Sequence, residues 1–182
     1  FGNEGRNVEK ALAMFRGDFN PADRLLRGIL LSAARSQIFN AVVAARMEQG
    51  NWNRPLLGEV YGFPDNGTLL LIGNQRGDEA MRFHEGKVEL TAPLWGVGEL
   101  HSADEVRELE SAVVSSFPEL TAGLEAAELR QERRVIRLRP INPELRAREG
   151  GDLELRFDLP RGTYATTLLR ELAVLVEPEK SP

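Results

Sequence analysis

The chain has 182 residues, a formal net charge of −5 and no cysteine. This length allows one full core, or one domain with part of another, and the ordinary globular composition excludes a disordered or fibrous chain. The missing thiols exclude disulfides and thiolate metal sites, and the acidic balance means that any nucleic-acid partner must be met by a local basic patch. No apolar run reads as a bilayer span, and no signal-peptide pattern opens the chain. Phe1 falls in a turn ahead of a helix, so the chain is expected to be a piece of a longer protein.

Asn7 is the expected N-cap of a short amphipathic helix through Val8, Ala11, Leu12 and Phe15, which Gly17 ends. Asn20-Pro21 is expected to restart a helix, with Asp23 near its positive end and Gly28 as a loosening or kinking point. The longest helical pattern runs from Ile29 to Met47. Leu30, Leu31, Ala34, Ile38, Val42 and Ala45 form its stripe, while Arg35 and Arg46 leave it. A core helix is the plain reading; Arg35 and Asn40 are candidates for a polar contact with a neighbouring domain or ligand.

From Leu56 to Gly96 the texture becomes β-like: 58–63, 68–72 and 87–91 read as short strands, with Asn66-Gly67 as a hairpin turn. Trp95-Gly96-Val97-Gly98 is wrongly spaced for a phosphate-binding glycine motif and reads as a loop. Ser102 and Glu105 form an expected capping box ahead of a helix striped by Val106, Leu109, Val113, Val114 and Phe117, and a second helix follows Pro118. Residues 130–140, RQERRVIRLRP, are the one locally basic segment. Arg133, Arg134, Arg137 and Arg139 either decorate a solvated edge strand or contact phosphates. Residues 140–151 read as a connector.

Leu153, Leu155, Phe157 and Leu159 then alternate with charged residues, which makes a strand with one apolar face. Pro160 and Gly162 break it, Thr163 is placed to cap a helix, and Ala165, Leu168, Leu169, Leu172 and Val176 recur at helical spacing. Tyr164 stands at the bend. Such a corner either presents its ring and free backbone N–H groups to a ligand, or plugs the turn.

Local chemistry alone offers no complete active site. His84 and His101 stand outside any metal-ligand spacing, no nucleophile-elbow serine is present, and no carboxylates pair into an acid/base set.

Four segments in order resemble the tRNA pseudouridine synthase D (TruD) family. Phe1-Gly2-x-x-Gly5-x-Asn7 is similar to its RFGxxGxN turn. Leu31-Ser32-Ala33-Ala34-Arg35-Ser36-x-x-Phe39-Asn40 is similar to its LSAARSxLFN helix. Leu90-Thr91-Ala92-Pro93-Leu94-x-Gly96-x-Gly98-Glu99 looks like its ITAxLPGxGE loop. Leu159-Pro160-x-Gly162-Thr163-Tyr164-Ala165-Thr166-x-Leu168-Leu169-Arg170-Glu171-Leu172 resembles its LPAGSFATSVLREL. Each motif is weak alone; the ordered set is specific.

The resemblance implies an α+β fold: part of a mixed-sheet catalytic domain interrupted by an inserted α/β domain. Residues 1–20 would belong to the catalytic domain, 21–138 to the insertion and 139–182 to the returning catalytic segment. It further implies a tRNA pseudouridine synthase that converts the uridine at position 13 without metal or organic cofactor. Transfer RNA would be the partner, the protein monomeric and cytoplasmic, with no membrane role. Tyr164 replaces the family's phenylalanine beside the flipped base and keeps a stacking surface.

Two departures stand out. The family's catalytic aspartate and its NYFG motif have no counterpart in this chain, so no aspartate is nominated and the chain alone is expected to be inactive. Gly162-Thr163-Tyr164 also resembles the GTYxR of other pseudouridine synthases, but Thr166 stands where their arginine would be. The rival expectations are a non-catalytic RNA-binding or interaction module that retains the fold, and an α+β domain that binds a small molecule near Tyr164.

Overall fold

Gly17 ends the first helix, α1 (Asn7–Arg16), by adopting φ 83°, the left-handed conformation that glycine enters without a steric penalty. Asn7 is the first helical residue rather than the cap, which is Arg6. These and the following elements come from a computed structural model that describes residues 6–64, 69–71, 78–159 and 165–174. Two units divide the chain, Phe1–Ile136 and Arg137–Pro182.

In the first unit, α2 (Arg24–Glu48) starts three residues later than Pro21 suggested. The Asp23 carboxylate accepts the Leu25 N–H at 2.8 Å and lies at the positive end of the helix. The helix continues through Gly28 for 25 residues, without a break. By length and composition it could cross a membrane, contrary to the sequence expectation. Its apolar face, however, is a core face: Leu30, Ala33, Ala34, Ile38, Phe39 and Val42 are all buried within the unit.

The sheet has order β2-β1-β3-β4 and is antiparallel throughout. Strands β1 (Val60–Gly62) and β2 (Leu69–Leu71) pair Val60 with Leu71 and Gly62 with Leu69. The expected Asn66-Gly67 turn lies outside the described residues. Helix α3 (Asp78–His84) was not anticipated; its seven residues are too few to show a helical period clearly. Strand β3 (Glu89–Leu94) pairs with β4 (Glu132–Val135), which lies at the sheet edge as expected. Helix α4 (Asp104–Val114) is capped by Ala103, not by the Ser102–Glu105 box, because both side chains are engaged elsewhere: Ser102 with Glu110 and Glu105 with the Leu57 N–H. Helix α5 (Pro118–Ala126) opens on its proline, where no N–H is missed.

Helix α2 divides the hydrophobic interior. On one side Ala11, Leu30, Ala34, Ile38, Val114, Leu120 and Leu124 form a helical cluster; on the other Phe39 and Val42 meet Ala92 of the sheet. Tyr61, Phe83, Val88 and Leu90 make a third cluster. Each large aliphatic side chain buried there contributes roughly 1.5–3 kcal/mol.

The second unit contains a hairpin where a connector was expected at 140–151. Strand β5 (Ile141–Ala147) pairs antiparallel with β6 (Leu153–Asp158), Leu145 opposite Leu155 and Ala147 opposite Leu153. Gly150 and Gly151, at φ 100° and 90°, make the turn that β-type residues could not. The alternation of β6 is as read, but Leu153 is 70% exposed, and Leu155 and Phe157 are only half-buried. Helix α6 (Ala165–Leu172) likewise has no buried residue. The expected packing of that helix on a core is therefore absent among the described residues. Two strands and two helical turns have too little surface to close one.

Candidate functional site

The basic segment separates into residues with different tasks. In β4 the side chains alternate, so Arg133 points into the unit and Arg134 out of it. The Arg133 guanidinium is buried and ion-paired with Glu110, also buried. Its Nη1 donates to Glu110 at 3.0 Å, its Nε to the Thr91 hydroxyl at 2.7 Å and its Nη2 to the Thr91 carbonyl at 3.0 Å. Ser102 donates to the same carboxylate at 2.6 Å, and the Thr91 hydroxyl donates a hydrogen bond to the Val60 carbonyl at 2.6 Å. Arg133 thus ties β4, β3, β1 and α4 together. Its donors are spent on the fold and do not reach a phosphate.

Arg134 is exposed, with its guanidinium carbon 4.0 Å from the centre of the Phe39 ring. That contact lays the charge of a β4 residue over an aromatic ring of α2. The strand ends at Val135, so Arg137 and Arg139 do not continue its alternation. They belong to the second unit, Arg137 half-buried and Arg139 exposed.

Arg35, a candidate for a polar contact with a ligand or neighbouring domain, holds its own unit. It donates to the carbonyls of Trp95 (3.0 Å), Leu94 (2.9 Å) and Arg130 (2.6 Å) and to Glu132 (3.0 Å). The 95–98 loop is thereby pinned to the strand leading into β4. Gly96 is required there because a Cβ would lie 2.2 Å from the Leu129 oxygen. Trp95 is anchored by its indole N–H to Glu125 at 2.9 Å. Asn40, His84 and His101 are exposed.

A second buried ion pair was missed. Arg46 binds both oxygens of Glu59, at 3.0 and 2.8 Å, with neither side chain accessible. Burial pushes the Glu59 carboxyl above the usual carboxylate range, and the Arg46 guanidinium pulls back against it. The signal was present in the sequence: Ile38, Val42 and Arg46 follow at four-residue steps, so Arg46 continues the stripe. Glu110 similarly stands four residues after Val106 and four before Val114. A charge on an apolar stripe marks a buried pair once its partner is known.

Tyr164, the substrate-side residue expected at the strand-to-helix bend, lies outside the described residues, as does Thr163. On the polar face of the hairpin Glu144 and Arg146 pair at 2.8 Å, and Arg148 pairs with Glu154. Among the described residues no group of three His, Cys, Asp or Glu side chains could hold a metal ion.

The family model for tRNA pseudouridine synthase D (TruD) matches residues 4–172. A tRNA pseudouridine synthase D of Xanthomonas euvesicatoria is 42% identical over 190 residues, covering 94% of this chain and 51% of its own length. One from Chromohalobacter salexigens is 39% identical over 172 residues, covering 94% and 49%. A crystal structure from Methanosarcina mazei, assigned to tRNA pseudouridine synthase D, superposes with a TM-score of 0.62 at 25% identity, covering 93% of this chain and 41% of that one. The chain spans about half the length of the curated relatives it matches.

Proposed function

We propose, because this chain belongs to the tRNA pseudouridine synthase D (TruD) family, that it takes part in converting a uridine of transfer RNA, at position 13, to pseudouridine. The match along residues 4–172 carries this reading. The reaction is an isomerisation: the bond from ribose to N1 breaks, the uracil turns, and a bond to carbon 5 replaces it. Atoms are conserved, and no redox partner enters. The work of such a site is to grip RNA, take the base out of its stack and hold it while it turns.

Within this reading Tyr164 lies beside the extracted base and supplies a stacking face. Arg134 on the first unit, and Arg137 and Arg139 on the second, contact phosphates. Arg133 leaves that group because its charge is buried against Glu110. What supports the other three is their place in the one basic segment of an acidic chain, with Arg134 and Arg139 exposed. The enzyme works as a cytoplasmic monomer without a cofactor.

Deleting the gene and mapping pseudouridine in cellular tRNA tests the reading. One tRNA pseudouridine should disappear and return with the intact gene. Tyr164→Phe should restore it and Tyr164→Ala should restore it poorly. An unchanged pseudouridine map after deletion would exclude the function.

A further inference from the structure

The turn after α2 holds an aromatic side chain that the core does not use. The Arg54 N–H donates to the Asn51 carbonyl at 3.2 Å, which closes a four-residue turn with Trp52 and Asn53 at its corner. Turn corners favour glycine, proline, asparagine, aspartate and serine. Trp52 instead places a large ring there, 38% accessible, and among the described residues it is the only exposed Phe, Tyr or Trp. Two positions on, Arg54 is also exposed, and its guanidinium has no hydrogen-bond or ion-pair partner among the described residues.

The turn is held from beneath. Arg46 Nη2 donates to the Asn51 carbonyl at 3.3 Å and to the Arg54 carbonyl at 3.1 Å, so one guanidinium grips both ends. The same guanidinium is locked to Glu59, and the Asn51 N–H returns to the Arg46 carbonyl at 2.9 Å. A buried ion pair is a costly way to stabilise a fold, because both charges are desolvated. Here its geometry fixes a solvent-facing turn, and a fixed turn loses little entropy when it binds.

We propose that residues 51–54 form a single-nucleotide contact for RNA: the Trp52 indole stacks on an unpaired base, and Arg54 binds an adjacent phosphate. The inference rests on the tRNA-modification reading and adds a contact far in sequence from the basic segment and Tyr164. Aromatic faces beside cations are how proteins grip unpaired nucleotides without reading their sequence. Asn51, Asn53 and Arg54 surround the ring in the chain with polar groups, which suits RNA better than the apolar centre of a protein interface. Met47 and Leu57, exposed on either side in the chain, are the features that would suit a protein partner instead.

The test uses the whole 182-residue chain and an unmodified tRNA transcript. Trp52→Ala should weaken binding about tenfold while Trp52→Phe retains most of it. Arg54→Gln should lower the salt dependence of log K by about 0.7–0.9. Trp52 emission, read in a Trp95→Phe background, should be quenched by tRNA. The Arg54→Gln melt should match the parent, since that side chain is exposed, and tRNA affinities are compared at a temperature where every variant is folded. Equal tRNA affinity of Trp52→Ala and parent overturns the proposal. A change of oligomeric state in its place would assign the turn to protein contact, and overturns it as well. A parent chain that does not bind tRNA overturns it too, whereas the synthase reading stands or falls separately on the pseudouridine map.

Discussion

The two units of this chain have apolar patterning of similar quality and very different interiors. In the first, α2 is covered on both sides, and two Arg–Glu pairs are buried with nearly all their hydrogen bonds met. In the second, the β5–β6 hairpin leaves Leu145 and Leu153 more than half exposed, and its ion pairs lie in solvent. Periodicity therefore states which face of an element is apolar, but not what covers it. The same charge pairing is also worth different amounts in the two places.

The largest contrast is electrostatic. Arg133→Met leaves Glu110 buried without its counter-ion and should cost about 3–5 kcal/mol in urea unfolding. Arg146→Ala, which breaks the exposed pair with Glu144 on the hairpin, should cost no more than about 1 kcal/mol. Similar losses would mean that the two units are not held differently.

Packing gives the next contrast. A Cβ on Gly123 would lie 2.2 Å from the Phe15 ring, at the contact of α1 with α5. Gly123→Ala should destabilise by about 1–3 kcal/mol, and Phe15→Leu in the same chain should recover part of the loss. On the hairpin Leu153→Ser should stay within about 0.5 kcal/mol, since that side chain is 70% exposed.

A loss of stability at high pH should arise within the first unit. Burial pushes the Tyr61 hydroxyl up to about 12, with the Glu59 and Glu79 carboxylates adding to the shift. The folded state then keeps this proton to a higher pH than the unfolded chain, which releases it near 10. Stability should therefore fall as pH rises from about 10 to about 12 and be unaffected by this group below that window. Comparing urea midpoints across this window, Tyr61→Phe should lose the part of the fall that the parent shows.

Most helices and the β6 strand were legible because each repeats an apolar period long enough to recognise. Gly17 and Pro118 marked their boundaries through backbone geometry that few other residues share. The Ser102 capping box misled because its serine had a stronger partner, a buried carboxylate eight residues away in the chain. Strand β5 was missed because Asn142 and Pro143 interrupt its pattern, and α3 because it is short. The Arg-rich segment was legible as basic, yet the burial of Arg133 depends on Glu110, twenty-three residues earlier, and on Thr91, forty-two earlier. Arg35 was marked for a polar contact; that it would clamp the 94–96 and 130–132 segments of its own unit is a tertiary fact. The family motifs did carry over, because ordered residue identities survive where local propensities conflict.

The proposed division of the basic segment into one structural arginine and three that contact RNA is tested most directly by tRNA affinity. A chain carrying Arg134→Glu, Arg137→Glu and Arg139→Glu should remain folded at the temperature of the assay, as its thermal melt would show, although it loses the Arg134–Phe39 contact. It should bind tRNA far more weakly, with a shallower salt dependence. Parental tRNA affinity in that triple variant would contradict the assignment.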